Sequence, residues 1–182
     1  MREGGEFINQ ESTLMVIVSI KGYEKNPAEW KIKARIVFRG DAIKDQGGLS
    51  AIFQDLAASA PSSIAALNTV IAFSMIEGNS CSTSDCVRAY FQSALGTKHR
   101  TFVMLPPELV PESKKHIHMP CAQLYKSLYG HPESSAHWQA HLSKILQEKL
   151  NGVEFSEMPS VFRFGRSLVM SVYVDDLTLS GV

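Results

Sequence analysis

The sequence predicts an α+β fold, because segments that alternate apolar and polar residues share the chain with two segments of helical period. Residues 30–39 alternate apolar with basic side chains, which is the pattern of a half-buried strand. Residues 61–78 and 134–150 instead place apolar side chains three or four positions apart. Residues 168–181 hold two apolar runs around a pair of acids, which indicates a tight hairpin.

The remaining elements follow from shorter signals. Apolar or β-branched runs at residues 14–20, 101–105 and 161–164 predict three more strands. We expect the first helix to begin near Ser59 or Ser62 and to face the core through one apolar track. That track consists of Ile64, Leu67, Ile71 and Met75. The second helix should stop at Asn151-Gly152, and its inner track contains Trp138, Leu142 and Ile145.

The composition predicts a chain that can bury a core but lacks the strongly basic balance that is the simplest sign of a nucleic-acid binder. It has 182 residues, 45% of them hydrophobic, which suits a single domain. Its 18 basic and 18 acidic residues cancel, so any phosphate contacts must be local. The three cysteines have no framework-like spacing, and no apolar run reaches the length of a membrane helix. We therefore expect an intracellular protein with neither a secretory signal nor a membrane span.

Two adjacent acids, Asp175 and Asp176, lie at the tip of the predicted hairpin. Two like charges buried side by side between strands favour a bound divalent cation or a Lys or Arg partner. The alternative is a solvated acidic turn, which is a common use of two consecutive Asp residues. Asp85 is a third candidate, because catalytic groups tend to lie where an element ends. A helix N-cap would also explain Asp85.

The strand at residues 30–39 places its cations on one face. Lys31, Lys33, Arg35 and Arg39 alternate with Ile32, Ala34, Ile36 and Phe38. Such a basic stripe could grip a triphosphate or the backbone of a template strand. It could equally protect an exposed sheet edge against aggregation.

Five segments, in order along the chain, resemble motifs of the reverse transcriptase of copia-type retrotransposons. They are Lys33-Ala34-Arg35-Ile36-Val37 with Arg39-Gly40, Asp85-Cys86-Val87-Arg88-Ala89-Tyr90, Phe102-Val103-Met104-Leu105-Pro106-Pro107, Leu124 to Gly130 with Trp138, and Tyr173-Val174-Asp175-Asp176. The resemblance extends from Lys31 to Gly181. The residues after Gly130, from His131 to Ala136, depart from the family pattern.

The resemblance implies a right-hand polymerase palm, in which an antiparallel sheet is backed by two helices. Part of the fingers would be present and the thumb absent. Residues 1–182 would form a single domain fragment, with a poorly matched segment at about 1–29 and the fingers and palm at 30–182. The reaction would be two-metal nucleotidyl transfer to a primer 3′-hydroxyl.

The resemblance also implies roles for eight residues. The catalytic and metal-binding residues, holding Mg²⁺ or Mn²⁺, would be Asp85, Asp175 and Asp176. The nucleotide-binding residues would be Lys33, Arg35, Tyr90 and Gly130, with Tyr90 under the incoming sugar. Tyr173 would contact the template or primer.

The implied partners are an RNA template, a DNA primer, deoxynucleoside triphosphates and the rest of a retroelement polyprotein, including its integrase and ribonuclease H. The implied location is a cytoplasmic particle or the nucleus. Two alternatives stay open. The chain could be an inactive remnant of such a polyprotein, which its zero net charge favours. It could also be a nucleic-acid-binding module without catalysis, whose binding would depend on salt but not on Mg²⁺.

Overall fold

A computed structural model describes residues 8–50, 61–96 and 99–182 of the chain. These residues contain ten β-strands and three α-helices, which confirms the α+β class. They divide into two compact units, the first within Met1–Phe53 and Leu95–Ser134 and the second within Gln54–Ala94 and Ser135–Val182. Ser59, expected near the start of the first helix, lies outside the described residues.

The elements are numbered in chain order. The strands are β1 (Ile8–Lys21), β2 (Lys31–Phe38), β3 (Lys44–Asp45), β4 (Ser80–Asp85), β5 (His99–Met104), β6 (Cys121–Gln123), β7 (Val153–Phe155), β8 (Met158–Phe164), β9 (Leu168–Tyr173) and β10 (Asp176–Gly181). The α-helices are α1 (Ile64–Phe73), α2 (Ala89–Gln92) and α3 (Ser134–Leu150).

The first unit is built on a sheet in the order β2-β1-β5-β6, with β3 added to β1. β1 runs antiparallel to β2 and parallel to β5. One face of this sheet is closed by an apolar cluster around Phe38, Ile43, Val103 and Leu128. Burial of Phe38 in β2 and Val103 in β5, with Leu14 of β1 packed against them, stabilises this part of the sheet.

His131, which departs from the family pattern, is a buried residue of this first unit. Its side chain is 4% exposed and its ring centroid lies 4.9 Å from that of Phe38. Its Nε2 atom lies 3.3 Å from the Oγ1 of Thr101, and the backbone N–H of Glu133 donates to its Nδ1 at 3.2 Å. The departure at this position therefore serves packing within the unit.

The second half of β1, residues 14–21, and the whole of β2, residues 31–38, form a two-stranded ribbon. The register places Lys31, Lys33 and Arg35 on one face, as the sequence predicts, and adds Lys21 beside Lys31. The fourth predicted cation, Arg39, lies beyond the end of β2 and forms an ion pair with Asp41. The other face of the ribbon is apolar but exposed to solvent, and Ile32 on it is 79% exposed. Within β2 only Val37 and Phe38 are buried, so the expectation of a half-buried strand is wrong for its outer part. The apolar cluster of this unit reaches only the inner end of the ribbon.

The second unit is an antiparallel sheet in the order β4-β10-β9-β8-β7. Trp138, Leu142 and Leu146 of α3 pack with Phe162 and Met170 in its main apolar cluster. Neighbouring sheet residues, which point to the opposite face, contact α1 instead. This second cluster contains Ala66, Val70 and Val161, with Val169 packed against it. The sheet is therefore backed by two helices, with one on each face.

The apolar track expected to bury α1 is wrong. Ile64 is 77% exposed and Met75 is 83% exposed, whereas Ala66 and Val70 are 3% and 1% exposed. The small Ala66 side chain lets the helix axis come close to the sheet, so the helix is rotated toward its smaller residues. The cap also differs from expectation, because the side chain of Ser63 accepts a hydrogen bond from the Ala66 backbone N–H.

Gly130 lies against the backbone at the end of β2. It has φ of +85°, and a Cβ atom there would stand 2.1 Å from the carbonyl oxygen of Phe38. The backbone N–H of Phe38 donates to the Tyr129 carbonyl at 2.7 Å, which fixes this close approach. Only glycine can occupy the position without moving the backbone of β2.

We expect Gly130→Ala to destabilise the chain by about 3 kcal/mol, because it adds both an unfavourable φ and a steric clash with backbone. Gly48→Ala is the matched control in the same unit, since Gly48 has φ of +76° with open space around its Cβ direction. The free energy of unfolding of this control should fall by only about 1 kcal/mol. Urea unfolding followed by circular dichroism measures both. Equal losses for the two variants would contradict the close approach.

Candidate active site

The hairpin of β9 and β10 turns through only two residues, Val174 and Asp175. Tyr173 and Asp176 are paired across the hairpin and close the turn. Val174 has φ of +57°, in the left-handed region that β-branched residues disfavour. Holding a residue there costs about 1–3 kcal/mol, so the surrounding structure must impose the conformation.

Two hydrogen bonds hold this turn. The indole Nε1–H of Trp138 donates to the Val174 carbonyl at 2.7 Å. The backbone N–H of Cys86 donates to the Asp175 carbonyl, also at 2.7 Å. Each carbonyl of the two-residue turn thus has a donor, one from α3 and one from the residue that follows Asp85.

Asp85 lies at the end of β4, directly opposite Asp176 of β10. Residues opposite each other in an antiparallel pair share a face, so the two carboxylates start from the same side of the sheet. They line an open cleft of about 510 Å³ together with Thr83, Thr178, Ser84 and Leu177. The structure therefore brings together two of the three predicted acids across one rung of the sheet, and Asp175 occupies the adjacent turn.

The acids are more exposed than the sequence argument assumed. Asp85 and Asp176 are exposed and Asp175 is half-buried, so water already solvates part of their charge. The cost of burying like charges therefore does not by itself demand a cation. None of the ion pairs in the described part of the chain involves these three acids, so no Lys or Arg neutralises them there.

All three acids affect the pKa of one neighbouring thiol, that of Cys86. Burial is the main cause that raises the pKa of Cys86, and the negative charges of Asp85, Asp175 and Asp176 raise it further. A thiolate is disfavoured beside carboxylates because like charges repel. The region is therefore locally acidic, although the whole chain is neutral.

The donor chemistry of the facing pair suits Mg²⁺. Magnesium prefers hard oxygen ligands and is usually bound through one or two carboxylates plus substrate phosphates. Asp85 and Asp176 supply such a pair at an open cleft that a substrate can enter. In residues 8–50, 61–96 and 99–182 no three His, Cys, Asp or Glu side chains are grouped as a metal site by themselves. The assignment of all three acids to metal stays a prediction.

The two predicted site tyrosines lie in the same unit as the acids. Tyr90 belongs to α2 and packs at the edge of the main apolar cluster. Burial raises the pKa of Tyr90, a hydrogen bond with Ser135 lowers it, and the charge of Asp175 raises it. Tyr173 ends β9 opposite Asp176 and is 52% exposed.

The three other predicted residues belong to the first unit. Lys33 and Arg35 lie on the cationic face of the ribbon. The guanidinium carbon of Arg35 lies 5.9 Å from the centroid of the Tyr129 ring, within the range of a cation–π contact. Gly130 packs against Phe38, as described above.

Sequence reasoning missed the residues that hold the turn. The sequence predicts Trp138 on the inner track of the second helix and places Cys86 beside Asp85, but it assigns neither residue a contact with the turn. The sequence does contain a signal for Trp138. A buried indole N–H needs a hydrogen-bond acceptor, and the carbonyl groups of its own helix are already paired, so the acceptor should lie on another element. No sequence signal identifies the Cys86 backbone N–H, since every residue except proline carries one.

Residues 17–182 match the family described as reverse transcriptase (RNA-dependent DNA polymerase). The chain belongs to this reverse transcriptase family. The family is typical of copia-type elements, so the resemblance seen in the motifs is confirmed. No curated protein matches the chain.

The match to the reverse transcriptase family includes all eight predicted site residues. It begins within β1, upstream of Trp30, and covers residues of both units. Among the described residues of this reverse transcriptase chain, no helix is long and apolar enough to cross a membrane.

The raised pKa of Cys86 predicts its reactivity. At pH 8 we expect iodoacetamide to alkylate Cys86 more slowly than the exposed Cys81 and Cys121, because less of its thiol is ionised. Asp176→Asn removes a negative charge, lowers the pKa and should speed alkylation of Cys86 while leaving Cys121 unchanged. Peptide mass spectrometry over time measures all three rates. An equal rate of Cys86 alkylation in the natural chain and in Asp176→Asn would contradict the electrostatic contribution of this acid.

Proposed function

We propose that this chain is the RNA-directed DNA polymerase domain of a copia-type retrotransposon, which transfers a nucleotidyl group to a primer 3′-hydroxyl. The observation that carries the proposal is the facing pair Asp85 and Asp176, joined to the turn that contains Asp175. Membership of the reverse transcriptase family supports it, because the acids lie in segments that the family match covers.

The acids supply the ligands that this chemistry requires. Bound Mg²⁺ or Mn²⁺ would activate the primer hydroxyl and stabilise the leaving pyrophosphate. Asp85, Asp175 and Asp176 would together hold the ions, Asp85 and Asp176 from facing strands and Asp175 from the turn between β9 and β10. Their exposure suits this role, because template, primer and nucleotide must all reach the carboxylates. The fixed turn keeps the acids in place, so little reorganisation is needed when charge develops on the phosphoryl group.

The remaining roles follow from the family resemblance. Tyr90 would lie under the sugar of the incoming nucleotide, and its electrostatic link to Asp175 supports a place beside the acids. Lys33 and Arg35 would neutralise the triphosphate, for which their shared face of the ribbon supplies two exposed cations. Gly130 would line the nucleotide pocket, and Tyr173 would contact the template or primer.

The family match implies nucleic acid and deoxynucleoside triphosphates as substrates. We infer further that residues 1–182 act as one polymerase domain, in which residues 30–182 supply fingers and palm. The remaining partners would be the other parts of a retroelement polyprotein, including integrase and ribonuclease H. The chain would work inside the cell, in a cytoplasmic particle or in the nucleus.

Primer extension on an RNA template with Mg²⁺ or Mn²⁺ tests the proposal. We expect incorporation by the natural chain and its loss with a chelator. Asp85→Asn, Asp175→Asn and Asp176→Asn should each lower the rate by about 100-fold or more, because each removes an ionic ligand. Glu148→Gln is the control, since Glu148 is an exposed acid of α3 paired with Lys144.

Three outcomes oppose the proposal. Incorporation that survives Asp175→Asn or Asp176→Asn would remove the assigned role of the acids. No incorporation by the natural chain, with nucleic-acid binding that weakens with salt and ignores Mg²⁺, would identify a binding module instead. Neither binding nor incorporation by a folded chain would identify an inactive remnant.

A further inference from the structure

We propose that Trp138 is a positioning residue for the acids, because its indole N–H holds the strained turn that carries Asp175 and Asp176. The inference rests on the proposed function for two of its consequences, since its kinetic effect requires catalysis and its effect on metal affinity requires that the acids bind the cation. Its structural consequence, a fixed indole N–H at the turn, does not depend on that function. The juxtaposition that carries it is the 2.7 Å hydrogen bond from Trp138 Nε1 to the carbonyl oxygen of Val174.

The turn needs a restraint. Val174 is a β-branched residue at φ of +57°, a conformation that such residues leave when nothing holds them. Rotation of this backbone would change the directions of Asp175 and Asp176, which follow it directly. The pairing of Asp176 with Asp85 depends on that direction, because the turn decides which side of the sheet each acid faces.

Trp138 can supply the restraint because its ring is buried and closely packed. Its side chain is 2% exposed and belongs to the main apolar cluster, together with Leu142, Phe162 and Met170. A packed indole holds its N–H in one direction, so the Val174 carbonyl meets a fixed donor. The ring thus links the rigid helix α3 to the most strained point of the hairpin.

The second hydrogen bond places the turn relative to Asp85. Cys86 follows Asp85 directly, and its backbone N–H donates to the carbonyl of Asp175. Only proline at position 86 would remove this bond, and it would also restrict the backbone there, whereas a conservative change of side chain removes the bond from Trp138. Trp138→Phe keeps an aromatic ring in the cluster and deletes the N–H, so it isolates the contribution of the hydrogen bond.

Glycine at position 174 offers a rescue. Glycine adopts positive φ about as readily as negative φ, so a chain with Val174→Gly can form the turn without a fixed donor. If Trp138 acts by holding Val174 in this conformation, Val174→Gly should compensate for Trp138→Phe. A purely structural role of the indole in the core would gain nothing from that change.

The test compares four chains: the natural chain, Trp138→Phe, Trp138→Phe with Val174→Gly, and Trp30→Phe as the matched control. Trp30 is the second of two tryptophans, lies in the first unit, and donates its Nε1–H to the Lys25 carbonyl at 3.1 Å. The readouts are Mn²⁺ affinity by electron paramagnetic resonance and primer-extension kinetics. Far-ultraviolet circular dichroism checks that each chain is folded.

We expect Trp138→Phe to weaken Mn²⁺ binding about tenfold and to lower kcat about tenfold, with KM for the nucleotide unchanged. Adding Val174→Gly should restore both values to within about twofold, and Trp30→Phe should change neither. Unchanged Mn²⁺ affinity in Trp138→Phe would overturn the proposal. Failure of Val174→Gly to restore a folded Trp138→Phe chain would also overturn it.

A second measurement does not depend on the folding of Trp138→Phe. In Trp30→Phe the only indole N–H signal belongs to Trp138, and it should exchange slowly with D₂O and shift when Mg²⁺ is added. Fast exchange would overturn the proposal. If the natural chain incorporates no nucleotide but these measurements hold, the proposed function fails and the positioning role stands.

Discussion

The antiparallel pairing of β4 with β10 is the constraint on which the candidate site depends. It sets Asp85 opposite Asp176, two residues that are far apart in the chain. A slip of one residue would turn one acid to the other face of the sheet and separate the carboxylates. Backbone pairing alone does not fix this register. The two-residue turn fixes it, because Trp138 and Cys86 donate hydrogen bonds to its two carbonyl groups.

β4 shows how little of this register lies in its own side chains. Its six residues are Ser80-Cys81-Ser82-Thr83-Ser84-Asp85, all exposed, and nothing apolar fixes which face they present. The strand forms because β10 offers a complete ladder of backbone partners at the sheet edge. The apolar residues that fix the sheet belong to β8, β9 and β10, so β4 takes its position from its neighbour.

Much of the second unit could be predicted from the sequence. The helix over Ser134–Leu150 and the terminal hairpin have clear periodicity and clear stops, and both form as expected. Asp85 at the end of an element could also be predicted, but only the family resemblance joined it to the hairpin. Composition and periodicity do not show which strands pair, because they describe short windows of sequence and paired strands can be far apart in the chain.

The failures have physical causes. The prediction for α1 is wrong because it assigns the larger side chains to the core, whereas the small Ala66 allows the closer approach to the sheet. The exposure of Ile32 was missed because alternation shows which residues share a face and not whether anything covers that face. The burial of His131 was missed because its partners Gln10 and Thr101 lie about 120 and 30 positions away in the chain.

The facing acids form the proposed cation site, and nuclear magnetic resonance of a ¹⁵N-labelled chain can locate a bound ion residue by residue. A substoichiometric amount of Mn²⁺ broadens the backbone amide signals nearest to the bound ion. We expect broadening centred on residues 84–86 and 174–177, which would place the ion at these acids. Broadening centred instead on Glu11 and Asp45, which line a separate cleft in the first unit, would contradict it. Uniform broadening of the amide signals, with no centre at these acids, would also contradict it.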